Sequence, residues 1–209
     1  ALLIPIVKAF FTDMGQEVAS HAVQVYGGHG FIREWGMEQL VRDCRIALIY
    51  EGTNGIQALD LLGRKVLGSQ GKLLRGFTKI VHTFCVAQAE HPQLKGYVAQ
   101  LAALNQQWGE LTQSIGMAAM KNPDEVGAAS MDYLMYSGYV TLAYFWLRMA
   151  LVAQAKLAEG EGDAAFHQTK LATCEFYFKR LLPRTAAHLA AAQAGSACMM
   201  ELPAENFAL

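Results

Sequence analysis

The sequence predicts an all-α protein. Alternating runs of β-branched residues, the usual sign of strands, are missing, and alanine is abundant throughout. Apolar residues instead recur every three or four positions over long stretches, and short polar stretches with proline or glycine separate them. We expect a partial helical bundle over residues 1–70 and a helical extension of about four long helices over residues 71–209.

Three helices are predicted in the first region. The first begins at Pro5, a favourable first-turn residue, and ends at Gly27 and Gly28, which adopt the left-handed cap conformation without strain. Its apolar positions are Val7, Phe11, Met14, Val18, Ala22 and Val25. A short helix over residues 37–45 and a helix over residues 53–66 should follow.

The second region starts after the boundary signal "GSQGK" at residues 68–72. The periodic pattern and the separators "HPQ", "KNPDE" and "EGEGD" predict four long helices, over residues 73–90, 94–121, 123–158 and 164–194. Pro183 should kink or split the last of them, because proline disrupts a helix interior.

The apolar stretch over residues 131–153 is long enough to be considered as a membrane span. Its only charged residues are Asp132 and Arg148, but its apolar positions follow helical steps of three and four. We expect a packing seam of a long helix rather than a membrane span, formed by Met131, Met135, Gly138, Leu142, Phe145, Met149 and Val152.

Composition narrows the function classes. The 17 basic and 18 acidic residues give a net charge of −1, which argues against a nucleic-acid surface. Hydrophobic residues make up 53% of the chain and mean hydropathy is +0.18, so part of the apolar surface should face another partner. The four cysteines are far apart, which predicts reduced, mostly buried thiols in a cytoplasmic protein.

The start of the chain indicates a longer protein. Ala1 opens the sequence, and the run "ALLIPIVKAFF" is too short to span a membrane. Lys8 interrupts this run where a signal peptide would be apolar. We expect the chain to be a fragment or a processed product.

Metal-binding patterns are absent from the sequence. Helical di-iron sites use paired Glu-x-x-His motifs, and neither these nor HExxH occurs. Glu17 and His21 are four residues apart, and we expect a surface pair on one helix rather than a metal site. No metal is predicted.

Two short motifs carry the possible chemistry. "YGGHG" follows a helix rather than a strand, so it is neither a Walker loop nor a Rossmann fingerprint, and a helix cap explains it by itself. Glu51 in "IYEGTNGIQ" has two readings. It is either a carboxylate stabilised by the dipole of the helix that begins near Thr53, or a general base at the wall of an apolar pocket. Position alone leaves both open.

The stretch "VQVYGGHGFIREWGMEQLVRDCRIALIYEGTNGIQALDLLGRKVL" closely resembles the C-terminal helical domain of the acyl-CoA dehydrogenases. The matching ordered motifs are Gln24, Gly27 and Gly28; Arg42 and Asp43; and Tyr50, Glu51, Gly52 and Thr53. This resemblance covers residues 1–66. Residues 73–209, with "HQTKLATCEFYFKRLLPRTAAHLAAAQAG", resemble the helical extension of the long-form subfamily that includes the 3-methylmercaptopropionyl-CoA dehydrogenases.

The resemblance implies an FAD-dependent oxidoreductase of fatty acid metabolism that introduces an α,β double bond into an acyl-CoA thioester. Glu51 matches the general base, and Tyr50 and Gly52 match substrate-binding positions. Cofactor contacts are implied for Gln24, Gly27, Gly28, Thr53, Asn54 and Gly55, the first three at the adenosine end of the flavin across a subunit interface. Arg42 and Asp43 are expected to form a structural ion pair.

Partners follow from the same resemblance: an acyl-CoA substrate, electron-transfer flavoprotein as acceptor, and a second copy in a homodimer, with no nucleic acid. Because the family's β-domain is not in this chain, we expect the isolated chain to bind no FAD and to be inactive. The alternatives are an acyl-CoA oxidase, which shares the base and the flavin, and a non-catalytic helical interaction module of the same fold.

Overall fold

Helices build the fold of residues 1–207, the part of the chain that the computed structural model describes; no strand occurs among them, which confirms the all-α prediction. The α-helices are α1 (Leu3–Val25), α2 (Met37–Ala47), α3 (Asn54–Leu59), α4 (Lys72–Ala87), α5 (Lys95–Ala119), α6 (Asp124–Glu159), α7 (Ala164–Phe176), α8 (Thr185–Ala192) and α9 (Ala197–Met200). π-Helical segments continue α3 over Asp60–Leu67 and α7 over Tyr177–Leu181. Short 3-10 turns are Gly27–Phe31, Arg33–Trp35, Leu182–Arg184 and Ala204–Phe207.

The helix boundaries lie where local signals predict them. α4 begins directly after Gly71, whose φ of +72° suits a residue without a Cβ. The predicted helix over residues 164–194 is split at Pro183 into α7 and α8, as expected. Gly36 ends the 3-10 turn Arg33–Trp35 with φ +74°, a value that glycine adopts without strain because it has no Cβ.

α6 is the central helix. Helices α1, α3, α5, α7 and α8 all pack on it, and buried residues lie on every side of its middle turns. The predicted seam is wrong at both of its ends, because Met131 at one end and Phe145, Met149 and Val152 at the other are exposed. A helix whose middle turns are buried on every side has no single face that a periodic pattern can identify.

The two predicted regions pack on each other through α1 and α6. Gly138 of α6 lies against the ring of Phe10, which is buried in α1, and a bidentate ion pair joins Arg184 to Glu17. The extension therefore packs directly on residues 1–66 of the same chain. A domain boundary near residue 70 stays a prediction.

α1 buries a different face from its predicted apolar stripe. Ile6, Ala9 and Phe10 are in the core, whereas the stripe residues Phe11 and Val25 are exposed. α1 is thus apolar on two faces, and one of them is uncovered in this chain. None of the helices within residues 1–207 combines the length and the apolarity that crossing a bilayer requires.

Candidate functional site

The loop between α2 and α3 holds Glu51 in an unusual backbone conformation. Glu51 has φ +54° and Gly52 has φ +87°, both in the left-handed region that L side chains rarely adopt. The side-chain amide of Gln57 donates to the Glu51 carbonyl at 3.0 Å. Non-glycine residues in this region persist where surrounding contacts hold them, and such residues concentrate at functional sites.

The loop over residues 50–53 contains several polar groups that have no protein partner within residues 1–207. The Glu51 side chain is exposed and forms no ion pair or hydrogen bond with any residue of the described chain. Within residues 1–207, the backbone N–H groups of Glu51, Gly52 and Thr53 also donate to no protein acceptor. Tyr50 is exposed beside them. One carboxylate and three adjacent donors are therefore free to contact a ligand.

Gly52 is the residue that this turn requires. A Cβ at this position would lie 3.1 Å from Nε2 of Gln57, and φ +87° would strain any L side chain. The Gln57 amide, which fixes the Glu51 carbonyl, thus packs directly against Gly52.

The three residues expected to contact the cofactor near α3 do not point the same way. Thr53 is exposed and caps α3, its hydroxyl accepting from the Ile56 N–H at 3.5 Å. Gly55 is exposed with open space where a Cβ would stand. The Asn54 side chain is buried and faces α1, where it makes hydrogen bonds to residues of that helix.

The glycine turn after α1 forms the second candidate region. Gln24, Gly27 and Gly28 are exposed, and Gly27 has φ +58°. Gln24 also lines a groove of about 440 Å³ between α1 and α2, with Ser20, Val23, Phe31, Glu38, Val41 and Arg42. Sequence reasoning missed Gly30, the third glycine of "YGGHG": it is buried, and a Cβ there would lie 2.4 Å from the Val23 carbonyl oxygen.

The structure keeps these two regions apart. Asn54 contacts α1 between Lys8 and Asp13, whereas the glycine turn begins beyond Val25. At 1.5 Å per helical residue, the two regions lie on the order of 20 Å apart along α1. One chain therefore presents two separate sets of candidate residues.

Of the two predicted side-chain pairs, Glu17–His21 forms in the structure and Arg42–Asp43 does not. Asp43 accepts a hydrogen bond from Gln39 at 2.6 Å, and no ion pair joins it to Arg42, because adjacent helical residues point in different directions. Glu17 does contact His21, at 3.5 Å, but its closer partner is Arg184, at 2.8 Å. Within the described part of the chain, no three His, Cys, Asp or Glu side chains gather as a metal site.

The fold and these motifs define the class of protein. A helix that ends in a glycine turn is followed by a short helix and a Tyr-Glu-Gly-Thr loop, which is the order of motifs by which the sequence resembles an acyl-CoA dehydrogenase C-terminal domain. Residues 2–67 match the family model "Acyl-CoA dehydrogenase, C-terminal domain", and residues 77–203 match "Acetyl-CoA dehydrogenase C-terminal like".

The chain belongs to the acyl-CoA dehydrogenase family, and individual relatives agree. It is 39% identical over 186 residues to 3-methylmercaptopropionyl-CoA dehydrogenase of Ruegeria pomeroyi, covering 86% of this chain and 31% of the relative. It is 33% identical to the broad-specificity linear acyl-CoA dehydrogenase FadE5 of Mycobacterium tuberculosis, covering 87% and 31%. It is 30% identical to a butyryl-CoA dehydrogenase of Syntrophomonas wolfei, covering 98% and 34%. The chain thus spans about a third of the length of these relatives.

Proposed function

We propose that this chain is the C-terminal part of an FAD-dependent acyl-CoA dehydrogenase and that Glu51 is its general base. The observation that carries the proposal is the loop conformation of Glu51. An exposed carboxylate without a protein partner, held at φ +54°, stands next to free backbone donors in a chain of this family.

Glu51 would remove the α-proton of the thioester. An α C–H is a poor acid, so a base that takes its proton must be aimed at the carbon and shielded from water. The Glu51 side chain is exposed in this chain, and the acyl group of the substrate would supply the shielding.

The free backbone donors would stabilise the product of that proton transfer. Removal of the α-proton places negative charge on the thioester oxygen, and an N–H fixed at that oxygen stabilises the charge. We assign this role to the N–H of Glu51. Gly52 leaves room for the thioester, and the exposed ring of Tyr50 would contact the acyl chain.

The residues around α3 fit an FAD. FAD, when bound, would supply the hydride acceptor for the β-hydrogen. Thr53 offers a hydroxyl at a helix start, Gly55 leaves open space, and the free N–H of Thr53 could donate to an anionic or carbonyl oxygen of the cofactor. For Asn54 we propose a contact through its backbone, since its side chain is buried against α1.

The glycine turn would serve a second flavin. Gln24, Gly27 and Gly28 lie on the order of 20 Å along α1 from the Asn54 contact, so we assign them to the adenosine end of a different flavin, held by another subunit. This supports a homodimer, and the exposed stripe of α1 adds apolar surface to bury. We also propose electron-transfer flavoprotein as the acceptor and the cytoplasm as the location.

Glu51→Gln in the complete enzyme tests the base. The amide has nearly the same shape but takes no proton, so bound flavin should be retained and dehydrogenation should fall by ~10² or more. Glu90→Gln is the matched control: Glu90 is an exposed carboxylate in the turn after α4, and this variant should keep full activity. Glu51→Gln activity within about tenfold of the parent would refute the base assignment. Oxygen consumption during turnover would instead assign an acyl-CoA oxidase.

The 209-residue chain alone should bind no FAD and show no dehydrogenase activity. The contacts proposed here reach only parts of the cofactor, too few to offset the cost of ordering so large a ligand. Purification with excess FAD measures this directly, and a stoichiometric yellow complex would show that the cofactor site has been misplaced.

A further inference from the structure

The side chain of Asn54 joins the Glu51 loop to helix α1. It is 7% exposed, and its hydrogen-bond partners lie 41 to 46 residues away in sequence. Asn54 stands three positions after Glu51, at the first residue of α3. A buried amide costs free energy unless its donors and its acceptor are hydrogen-bonded. The hydrogen-bond partners of the Asn54 amide therefore determine the position of this side chain.

Every polar atom of the Asn54 side chain is satisfied. Lys8 Nζ donates to Asn54 Oδ1 at 2.8 Å, and Asn54 Nδ2 donates to Asp13 Oδ1 at 2.8 Å. The same Nδ2 contacts the Ala9 carbonyl at 3.2 Å, and the Thr12 hydroxyl lies 3.0 Å from Nδ2 and 3.2 Å from Oδ1. Satisfied buried networks of this kind fix one arrangement of the groups that they join.

The charges on α1 give the amide a single orientation. Lys8, a cation, faces its oxygen, and Asp13, a carboxylate, faces its nitrogen, so a flipped amide would oppose both charges. Burial raises the pKa of Asp13, and the hydrogen bond from Asn54 and the charges of Lys8 and Arg45 act against that rise. The Asn54 amide therefore lies between a cation and a carboxylate, both of which belong to α1.

The Asn54 backbone closes the same loop from its other end. Its N–H donates to the Leu48 carbonyl at 3.1 Å, which joins the last turn of α2 to the first of α3. The loop between these residues contains both left-handed residues, Glu51 and Gly52. Asn54 therefore fixes the two ends of the loop to each other and the whole loop to α1.

We propose that Asn54 is a positioning residue: through Lys8 and Asp13 it holds the Glu51 loop in place on α1, so that the carboxylate is aimed before substrate arrives. The structural half of this inference concerns the chain itself. The catalytic half rests on the proposed function of Glu51, and the two halves are tested separately.

Hydrogen exchange of the 209-residue chain tests the structural half. Asn54→Ala should raise the exchange rate of the hydrogen-bonded amides within residues 48–57 by ~10-fold or more, because the loop loses its anchor and opens locally. Amides of α5 and α6 should keep their protection. Equal loop exchange in Asn54→Ala and the parent would overturn the proposal.

Asn105→Ala is the matched control. Asn105 is also a buried asparagine, 8% exposed, and its amide donates to the Thr78 carbonyl at 3.0 Å far from the Glu51 loop in sequence. This variant removes a buried amide of the same size, so it should leave exchange of residues 48–57 unchanged. Faster loop exchange in both variants would mean a general loss of stability and would count against a specific anchor.

A reciprocal exchange tests the network itself. Asn54→Asp alone sets two carboxylates against each other and should loosen the loop. Combined with Asp13→Asn, it restores a donor opposite an acceptor and keeps the contact to Lys8, so loop protection should return in large part. A double variant as unprotected as Asn54→Asp would overturn the role of Asp13.

Kinetics of the complete enzyme test the catalytic half. A base displaced from its substrate slows the chemical step without weakening substrate binding, so Asn54→Ala should lower kcat by ~10-fold or more with little change in KM. Faster loop exchange with unchanged kcat would overturn the positioning role. Full activity of Glu51→Gln would instead refute the proposed function, and the exchange experiment would still decide whether Asn54 anchors the loop.

Discussion

Gly138→Ala should destabilise the chain, although alanine favours helices. Gly138 lies inside α6, and a Cβ there would stand 2.3 Å from Cδ2 and 2.4 Å from Cγ of the Phe10 ring. Phe10 is 1% exposed and packs edge-on against Tyr139 at 4.9 Å between ring centroids, so the ring has no space to turn away. The substitution therefore has to separate α1 from α6.

The magnitude follows from two opposing contributions. Carbon atoms approach best at about 3.5–4.0 Å, so α1 has to move by more than about 1 Å. Overpacking of this kind costs ~1–3 kcal/mol. Replacing glycine in a helix interior returns up to ~1 kcal/mol. We expect the free energy of unfolding to fall by ~1–2 kcal/mol.

Urea unfolding followed by circular dichroism measures this free energy. Gly109→Ala is the control: Gly109 lies in α5 with nothing within 4 Å of its Cβ position, so this variant should gain ~0.5–1 kcal/mol. Adding Phe10→Leu to Gly138→Ala should cost less than the sum of the two single changes. A Gly138→Ala chain as stable as Gly109→Ala would show that α1 and α6 do not meet as described.

Three further outcomes are expected. Arg184→Met should lower stability by ~1 kcal/mol, a modest value because the pair with Glu17 is partly exposed. The hydrogen bond from Arg184 lowers the pKa of Glu17 below its usual 4.5. The stability that the pair contributes is therefore fully present above pH 4.5 and is lost as pH falls through the lowered pKa. Denaturation scans at several pH values should show this loss in the parent and not in Arg184→Met. Tyr136→Phe removes a hydroxyl that donates to the Leu104 carbonyl at 2.9 Å and should cost ~1 kcal/mol in urea unfolding. Burial raises the pKa of the Cys85 and Cys174 thiols to about 11. Iodoacetamide near pH ~8 should therefore label Cys44 and Cys198 first. Equal labelling of all four cysteines in the folded chain would contradict the burial of Cys85 and Cys174.

Local signals allowed most helices to be predicted from sequence. The glycines near residue 70 and Pro183 act on the backbone within a few residues, so their effect does not depend on the rest of the fold. The candidate site was found for a related reason. Tyr50 to Thr53 are contiguous, and their order in the sequence is enough to identify the motif.

Only the tertiary structure decided which faces are buried and which distant groups meet. The stripe of α1 and the seam of α6 are true helical patterns, but each helix is apolar on more than one side, so neighbouring helices select the buried face. The sequence predicts Asn54 as a cofactor contact, but its side chain turns inward because Lys8 and Asp13 of α1 supply a donor and an acceptor for its amide. Arg184 meets Glu17 across 167 residues of sequence, a contact that depends on how α1, α6 and α8 pack and on no local signal.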